Sequence, residues 1–208
     1  VPDLTPETDS GVYDDDNLTN NTSIEFSVAS LDIGDRLYIK ADNTMLDYVD
    51  IEETPQVITI TNAATASYTA YSMDAAGNES VTTSALAVTV DTEAPVVDQV
   101  AITLASGSDT GFDDDDSLTN DYTPEFSIAN LVLTDSVYLH VDGVLMMDDL
   151  VTITPMSITV DSLSDNSHEI SIYARDVAGN LSDVSANTLT IRVDTQPPEI
   201  SDSAPDLL

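Results

Sequence analysis

Residues 17–28, with the sequence NLTNNTSIEFSV, return one hundred positions later as residues 117–128, SLTNDYTPEFSI. Apolar side chains alternate with polar ones at Ile24, Phe26 and Val28, and the second copy repeats this alternation at Phe126 and Ile128. An alternation with a period of two residues is typical of a β-strand with one buried face. A strand that occurs twice at this spacing indicates two copies of one small module.

The duplication extends over almost the whole chain of 208 residues. Residues 8–20 return as residues 108–120, residues 71–78 as 173–180, and residues 91–95 as 194–198. Each copy has an ordinary domain size. We therefore predict two tandem modules, residues 1–92 and 93–195, followed by residues 196–208 as the start of a further linker or module. The stretch before Asp9 is shorter than the one before Asp109, so we expect the first strand to be truncated.

The alternation also predicts the fold class. Positions between the apolar residues are mostly Ser, Thr and Tyr, which favour strands with one face in water. With roughly seven strands per copy and turns between them, the chain is predicted to be all-β, with two tandem immunoglobulin-like β-sandwich domains. The expected inward residues are Ile24, Phe26, Val28, Leu37, Ile39, Ala41, Ile58, Ile60, Tyr68, Ala70, Leu86, Val88 and Val90 in the first copy, and Pro124, Phe126, Ile128, Val137, Leu139, Val141, Ile158, Val160, Ile170, Ile172, Leu189, Ile191 and Val193 in the second.

The charge balance restricts the possible partners. The chain has 39 acidic residues and only four basic ones, for a formal net charge of -35. Nucleic acids and anionic membranes would be repelled, so neither is expected as a partner. The hydrophobic content of 41% argues against a disordered acidic tail. Such self-repulsion favours bound cations or a salty medium.

Two further classes of structure are disfavoured by composition. The chain has no cysteine, so it can form neither a disulfide framework nor a thiolate metal site. No apolar run approaches the length of a membrane span, so direct membrane insertion is not expected. Val1 and Pro2 resemble the end of a linker. We therefore expect a segment of a longer array, whose partners are neighbouring modules of the same chain.

Consecutive aspartates predict cation binding, and Ca²⁺ is the expected ion. Adjacent carboxylates repel each other, whereas a hard cation with six to eight oxygen ligands would hold them together. The alternative is that the acidic runs are solvated loops and that the Asp-x-x-Gly-Asn segments are turns made possible by Gly77 and Gly179. The candidate metal ligands are Asp9, Asp14, Asp15, Asp16, Asp74, Asp91, Asp109, Asp113, Asp114, Asp115, Asp116, Asp176 and Asp194.

The strand order of a sandwich predicts where these aspartates lie. The loop after the first strand and the loop between the last two strands belong to opposite ends of one module. Asp9 and residues 14–16 of the first copy are then expected to face Asp176 and Asn180 of the second, across the linker with Asp91. This arrangement predicts a cation site at the junction. Asp109, residues 113–116 and Asp194 would serve the next junction, and Asp74 the preceding one.

Three motifs together carry a family resemblance. They are Asp-(Ser/Thr)-Gly followed by an aspartate run and Leu-Thr-Asn, then Asp-x-Ala-Gly-Asn, and then Asp-Thr-x-x-Pro. In this order they resemble the bacterial Ig-like repeats of giant RTX-type adhesins. The resemblance implies a secreted, calcium-dependent extender at the bacterial cell surface, of the kind found in biofilm adhesins. It implies a monomeric rod that projects an adhesive tip from the cell.

Other functions receive less support from the sequence. His140 aligns with Lys40 and His168 with Ala66, so neither histidine recurs, and both are expected to be surface residues on strands. No nucleophile with a base and an orienting partner is apparent, so the chain is not expected to be an enzyme.

A carbohydrate-binding module remains an alternative. It would use the outward tyrosines Tyr38, Tyr71, Tyr138 and Tyr173, although cross-strand pairing that stabilises the sheet is the favoured explanation for them. A halophilic protein of unrelated function would spread its acidic residues over the whole surface. Here the aspartates are concentrated in loops.

Overall fold

The computed structural model describes residues 1–113, 115–184 and 187–200. It contains two compact units. The first comprises Val1–Pro95 together with Arg175–Leu181, and the second comprises Val96–Ala174 together with the described residues from Ser182 onward. The described residues form strands and loops, which confirms the predicted all-β class. None of them forms a helix that could cross a membrane.

Among the described residues, each unit has eight strands in two sheets. The strands are β1 Asp3–Leu4, β2 Leu18–Thr19, β3 Ser23–Val28, β4 Arg36–Ala41, β5 Thr44–Asp50, β6 Gln56–Thr61, β7 Ala66–Met73, β8 Leu86–Val90, β9 Ala101–Leu104, β10 Leu118–Thr119, β11 Glu125–Ala129, β12 Ser136–Val141, β13 Val144–Leu150, β14 Met156–Thr159, β15 Asn166–Arg175 and β16 Leu189–Val193. The two sheets of the first unit have the strand orders β1-β3-β6 and β2-β8-β7-β4-β5. Those of the second unit have the orders β14-β11-β9 and β10-β16-β15-β12-β13.

The acidic loop is positioned by a change of sheet. In the first unit β1 pairs antiparallel with β3, whereas β2 pairs parallel with β8 in the other sheet. The second unit repeats this arrangement, with β9 beside β11 and β10 parallel to β16. Residues 5–17, and the described residues between Ala105 and Ser117, therefore cross from one sheet to the other at the edge of each sandwich. These crossings contain the aspartate runs.

The predicted cores are confirmed in both units. Phe26, Ile24, Leu37 and Ile39 are completely buried, and the Phe26 ring lies 4.8 Å from the ring of Tyr68. The other inward positions of the first copy lie in the same core or pack against it. In the second unit Pro124 is buried, and the other predicted inward residues form or contact the core. Burying side chains of this size contributes about 1.5–3 kcal/mol each.

Strands β5 and β13 were not predicted. Both are edge strands with most side chains exposed, so they lack the alternation that identifies a half-buried strand. Each follows a two-residue turn in which both residues have positive φ, Asp42–Asn43 in the first unit and Asp142–Gly143 in the second. Such turns match the twist of a β-hairpin. The turn chemistry, not the hydrophobic pattern, specifies these two strands.

Candidate cation site

Asp9 is held inside the crossing loop of the first unit. Its backbone N–H donates to the Thr5 carbonyl at 2.9 Å, and the Thr19 hydroxyl donates to the Thr8 carbonyl at 2.6 Å. These bonds turn the Asp9 side chain inward, so that the residue is only 4% exposed. Its Oδ2 accepts the Asn17 N–H at 3.1 Å, but its buried Oδ1 has no hydrogen-bond partner.

Asp109 repeats this environment in the second unit. Its N–H donates to the Ala105 carbonyl at 2.9 Å, and its Oδ2 accepts the Ser117 N–H at 3.3 Å. The residue is 8% exposed, and its Oδ1 is again buried without a partner. The same carboxylate oxygen is therefore unsatisfied in both copies.

An unsatisfied carboxylate oxygen at this depth is unfavourable. Burial raises the pKa of Asp9 above its ordinary value of 3.8, the Asn17 N–H lowers it, and the charges of Asp16, Asp14 and Asp15 raise it further. Leaving a buried polar group without a partner costs about 1–3 kcal/mol, and more when the group is charged. A cation next to Oδ1 would remove this cost, because it would replace the missing donor and neutralise the surrounding charge.

Asp14, Asp15 and Asp16 belong to the same loop as Asp9, and Asp91 lies near it, but these carboxylates do not converge on Asp9. Asp14, Asp15 and Asp16 are exposed, and Asp16 Oδ1 accepts the Leu18 N–H at 2.9 Å. Asp91 is close in the fold, because its N–H donates to the Thr19 carbonyl at 2.9 Å. Among residues 1–113, 115–184 and 187–200, no three carboxylate or imidazole groups lie close enough together to hold a metal ion.

The second unit shows the same arrangement. Asp113, Asp115 and Asp116 are exposed, and Asp116 Oδ1 accepts the Leu118 N–H at 3.0 Å. The N–H of Asp194 donates to the Thr119 carbonyl at 2.8 Å, as that of Asp91 does to Thr19. Asp114, another predicted ligand, lies outside the described residues.

Asp74 and Asp176 occupy tight turns. Asp74 Oδ1 accepts the N–H groups of Ala76 and Asn78 at 2.9 and 2.8 Å, and its Oδ2 accepts the Asn78 side-chain amide at 2.7 Å. The Asn78 amide and N–H groups lower the pKa of Asp74. Asp176 makes the equivalent bonds to Asn180 at 2.8 and 2.9 Å. Both carboxylates are therefore satisfied within their own loops, as the turn interpretation expects.

The predicted residues of the first unit fall into two groups. Asp9, Asp16 and Asp91 lie near β2 and the end of β8. Since β7 runs antiparallel to β8, Asp74 after β7 lies at the opposite end. The segment Arg175–Leu181 belongs to the first group, because the side-chain amide of Asn180 donates to the Asp91 carbonyl at 2.9 Å.

The outward tyrosines pack against each other instead of forming an open platform. Tyr38 and Tyr71 are stacked with ring centroids 4.9 Å apart and are only 7% and 9% exposed. Lys40 covers Tyr71 with its ammonium 4.3 Å from the ring, and Tyr48 packs against Tyr38 at 5.5 Å. This is the cross-strand packing that stabilises a sheet.

The second unit has a smaller version of this packing. Tyr138 and Tyr173 are half-buried, and the His140 ring lies 4.8 Å from Tyr173. The four tyrosines thus lie on the outward faces of their sheets, but none presents a freely exposed ring.

The prediction that His168 is a surface residue was wrong. His168 is 7% exposed; its Nδ1 lies 2.7 Å from Asp142 Oδ2 and its Nε2 lies 2.9 Å from the Ser164 carbonyl oxygen. His168 lies on a strand, as its aligned residue Ala66 does, and alanine has no polar side chain. The alignment of the two copies therefore did not indicate a buried polar contact at this position. Asp142, in the β12–β13 turn, is the partner that only the structure identifies.

Comparison with known proteins agrees with this fold. The fibronectin(III)-like modules of Clostridium thermocellum CbhA align with a TM-score of 0.53 and 16% identity, over 93% of this chain and 94% of theirs. The human OSCAR ligand-binding domain aligns with a TM-score of 0.37 and 14% identity, over 91% of this chain and 97% of that one. The BSP domain of a biofilm associated protein gives 0.32 and 13%, over 94% of this chain and 30% of that one. No curated protein is similar enough to count as a match.

The model of one protein family matches both copies of the repeat, over residues 1–92 and 96–195. This family is described as the bacterial Ig-like domain. The match covers more than half of the sequence, and the two-sheet architecture of each unit agrees with it. The chain therefore belongs to the bacterial Ig-like domain family and contains two of its modules.

Proposed function

We propose that this chain is an extender segment of a large RTX-type adhesin at the bacterial cell surface, stiffened by calcium at its module junctions. The observation that carries the proposal is the buried, unpartnered Oδ1 of Asp9 and of Asp109. A carboxylate in this state recurs at the same place in both modules, next to an aspartate run. A bound cation is the simplest partner for each oxygen.

The residues around Asp9 suit calcium in particular. Calcium accepts six to eight oxygen ligands in flexible geometry, including carboxylates, backbone carbonyls and waters. The crossing loop offers the carboxylate of Asp9 and the exposed carboxylates of Asp14, Asp15 and Asp16. Zinc prefers nitrogen or sulfur ligands, which this loop does not offer. Calcium would therefore draw together carboxylates that repel each other in its absence.

Binding at this loop would also restrain the chain that leaves the module. Asp91 directly follows β8, and its backbone is bonded to Thr19 of the same loop. Pro95 already limits the backbone a few residues further on. An ion shared between the crossing loop and this segment would remove bending freedom from the linker. In an array, repeated restraint of this kind would hold a distal adhesive region away from the cell.

The composition supports a structural role in a calcium-rich exterior. With a net charge of -35, the chain repels itself, so cations would stabilise every module. The family is described as an Ig-like domain, and we propose no catalytic activity for this chain. The packed tyrosines give no separate support to carbohydrate binding, because Tyr38 and Tyr71 stack on each other.

Thermal unfolding with calcium, magnesium or a chelator at fixed ionic strength tests the proposal. Calcium at about ten times its dissociation constant should stabilise each module by about 1.4 kcal/mol, seen as a rise of several degrees in Tm. Magnesium should have a smaller effect, because it keeps its waters and needs near-octahedral geometry. Equal midpoints under all three conditions would overturn the calcium assignment.

A further inference from the structure

Two loops of nearly the same sequence have different surroundings. Residues 176–180, Asp-Val-Ala-Gly-Asn, are covered: Ala178 is completely buried. Residues 74–78, Asp-Ala-Ala-Gly-Asn, form the same turn but are exposed from Ala75 onward. A Cβ on Gly179 would lie 3.0 Å from the Ser10 carbonyl oxygen, whereas one on Gly77 would meet nothing. The loop 74–78 thus has the same shape as the docked loop 176–180, but no docking partner among the described residues.

The surface that covers residues 176–180 is defined within the first unit. The Val12 N–H donates to the Val177 carbonyl at 3.1 Å, and the Ser10 hydroxyl donates to the Ala178 carbonyl at 3.4 Å. A Cβ on Gly11 would collide with the Val177 carbonyl oxygen. Only glycine at this position permits the close approach of the two backbones.

The second unit has the same surface, and no loop of the described residues lies on it. The residues that correspond to Ser10, Gly11 and Val12 are Thr110, Gly111 and Phe112. A Cβ on Gly111 would meet only atoms of its own loop, at 3.7 Å or more. The Phe112 side chain is fully exposed to solvent. The Phe112 side chain and the backbone at Gly111 are therefore both accessible to a partner.

We propose that residues 110–112 bind the loop 74–78 of a second copy of this chain. By correspondence with the first unit, the Phe112 N–H donates to the Ala75 carbonyl and the Thr110 hydroxyl donates to the Ala76 carbonyl. The Asn78 side-chain amide donates to the Asp194 carbonyl, as that of Asn180 does to Asp91. This inference rests on the proposed extender function and identifies the contact by which further modules join the array.

The predicted contact uses neutral groups, so it does not require calcium. Two copies of this acidic chain nevertheless repel each other at low salt. At 1 M ionic strength the screening length falls to about 3 Å, which removes most of this repulsion. The contact should therefore be observable in concentrated salt with a chelator present.

Disulfide cross-linking between two single-cysteine variants tests the proposal, because the chain has no cysteine of its own. One variant contains Phe112→Cys, which keeps the N–H group, and the other contains Ala75→Cys. Their mixed disulfide should form at least about tenfold faster than that of a control pair, since docking raises the effective concentration of the thiols. The control pairs Ala75→Cys with Ile153→Cys, another exposed position of the second unit.

A third variant makes the test specific for the close backbone approach. Adding Gly111→Ala to the Phe112→Cys chain should return the rate to that of the control, because the new Cβ would block the Ala75 carbonyl. Gly111 has no positive φ and open surroundings, so this substitution should leave the fold intact. Equal rates for both pairs, or a fast rate that Gly111→Ala does not reduce, would overturn the proposal.

The outcomes also separate this contact from the calcium site. Fast cross-linking in chelator together with no calcium effect on Tm would retain the docking contact and reject the stiffening mechanism. A calcium effect on Tm together with slow cross-linking would retain the mechanism and reject the contact.

Discussion

Replacing Asp9 and Asp109 by asparagine will stabilise the chain in chelator and abolish its response to calcium. Each asparagine can keep the bond from the backbone N–H of Asn17 or Ser117 through its carbonyl oxygen. Its amide then occupies the position of the unpartnered Oδ1, without a buried charge. We expect a gain of about 1 kcal/mol per module in the free energy of unfolding without calcium, because a neutral amide costs less to bury without a partner than a charged carboxylate does. Denaturant titration in chelator and in calcium measures both parts of the effect.

A control with the same change of charge separates the buried carboxylate from general charge repulsion. Asp15 and Asp115 belong to the same runs but are exposed. Replacing both by asparagine lowers the negative charge equally, so any purely electrostatic gain in chelator should be the same. We expect this gain to stay within about 0.5 kcal/mol, as for most surface substitutions. If the Asp9 and Asp109 variant retained the full calcium response, these residues would not be the ligands.

The core was predictable because it depends on the alternation of apolar and polar residues, which is the pattern of a strand with one buried face. Ile24, Phe26 and Val28 alternate with polar residues, and an alternation with this period buries one face of a strand wherever the strand lies. The second copy of the repeat shows the same alternation, which strengthens the prediction. Strand β5 was not predicted, because an edge strand can expose both of its faces. Met45 and Tyr48 of β5 are both exposed.

The candidate site was only partly predictable. The run of aspartates made all its members look equivalent as ligands. The structure distinguishes Asp9, which precedes the run and is buried, from Asp14, Asp15 and Asp16, which are exposed. That difference arises from the turn in which the Asp9 N–H bonds to the Thr5 carbonyl, and from the bond of the Thr19 hydroxyl to the Thr8 carbonyl, eleven residues earlier in the sequence. Hydrophobic periodicity contains no information about such contacts.

Raising the pH through the titration of His168 will destabilise the second module and leave the first without this loss. The Nδ1 of His168 faces the Asp142 carboxylate and its Nε2 faces the Ser164 carbonyl, so both nitrogens face acceptors. A neutral imidazole has a single N–H and can satisfy only one of them. The geometry therefore favours the doubly protonated ring in the folded module.

The direction of the pH effect follows from the pKa of His168. Burial of the ring alone lowers this pKa, but the Ser164 carbonyl and the Asp142 carboxylate outweigh burial and raise it above the ordinary value of 6.5. A raised pKa means that the folded module binds the proton more tightly than the unfolded chain does. The stabilisation is therefore complete below about pH 6.5 and is lost as the pH rises through the higher, folded pKa.

The titration of Asp142 sets the lower pH limit of the stabilisation by the His168–Asp142 pair. The Glu169 N–H and the His168 ring lower the pKa of Asp142 below 3.8, so its contribution is lost only as the pH falls through that lower value. Asp142 is the charged group that faces the ring. Between these limits the pair should contribute about 1–2 kcal/mol, since a hydrogen bond to a charged group contributes more than a neutral one.

The variant His168→Ala tests this directly, because alanine is the residue that the first module has at the corresponding position, Ala66. In the first module the turn aspartate, Asp42, still accepts the Ser67 N–H at 3.0 Å, so the turn forms without a histidine. A background with His140→Gln removes the other histidine of the chain. We expect the free energy of unfolding of the second module to fall between pH 6 and pH 9 by about 1–2 kcal/mol in that background, and the fall to disappear in His168→Ala. A pH dependence of the same size in both chains would show that the His168–Asp142 pair is not the proton-binding group, and would contradict the raised pKa of His168.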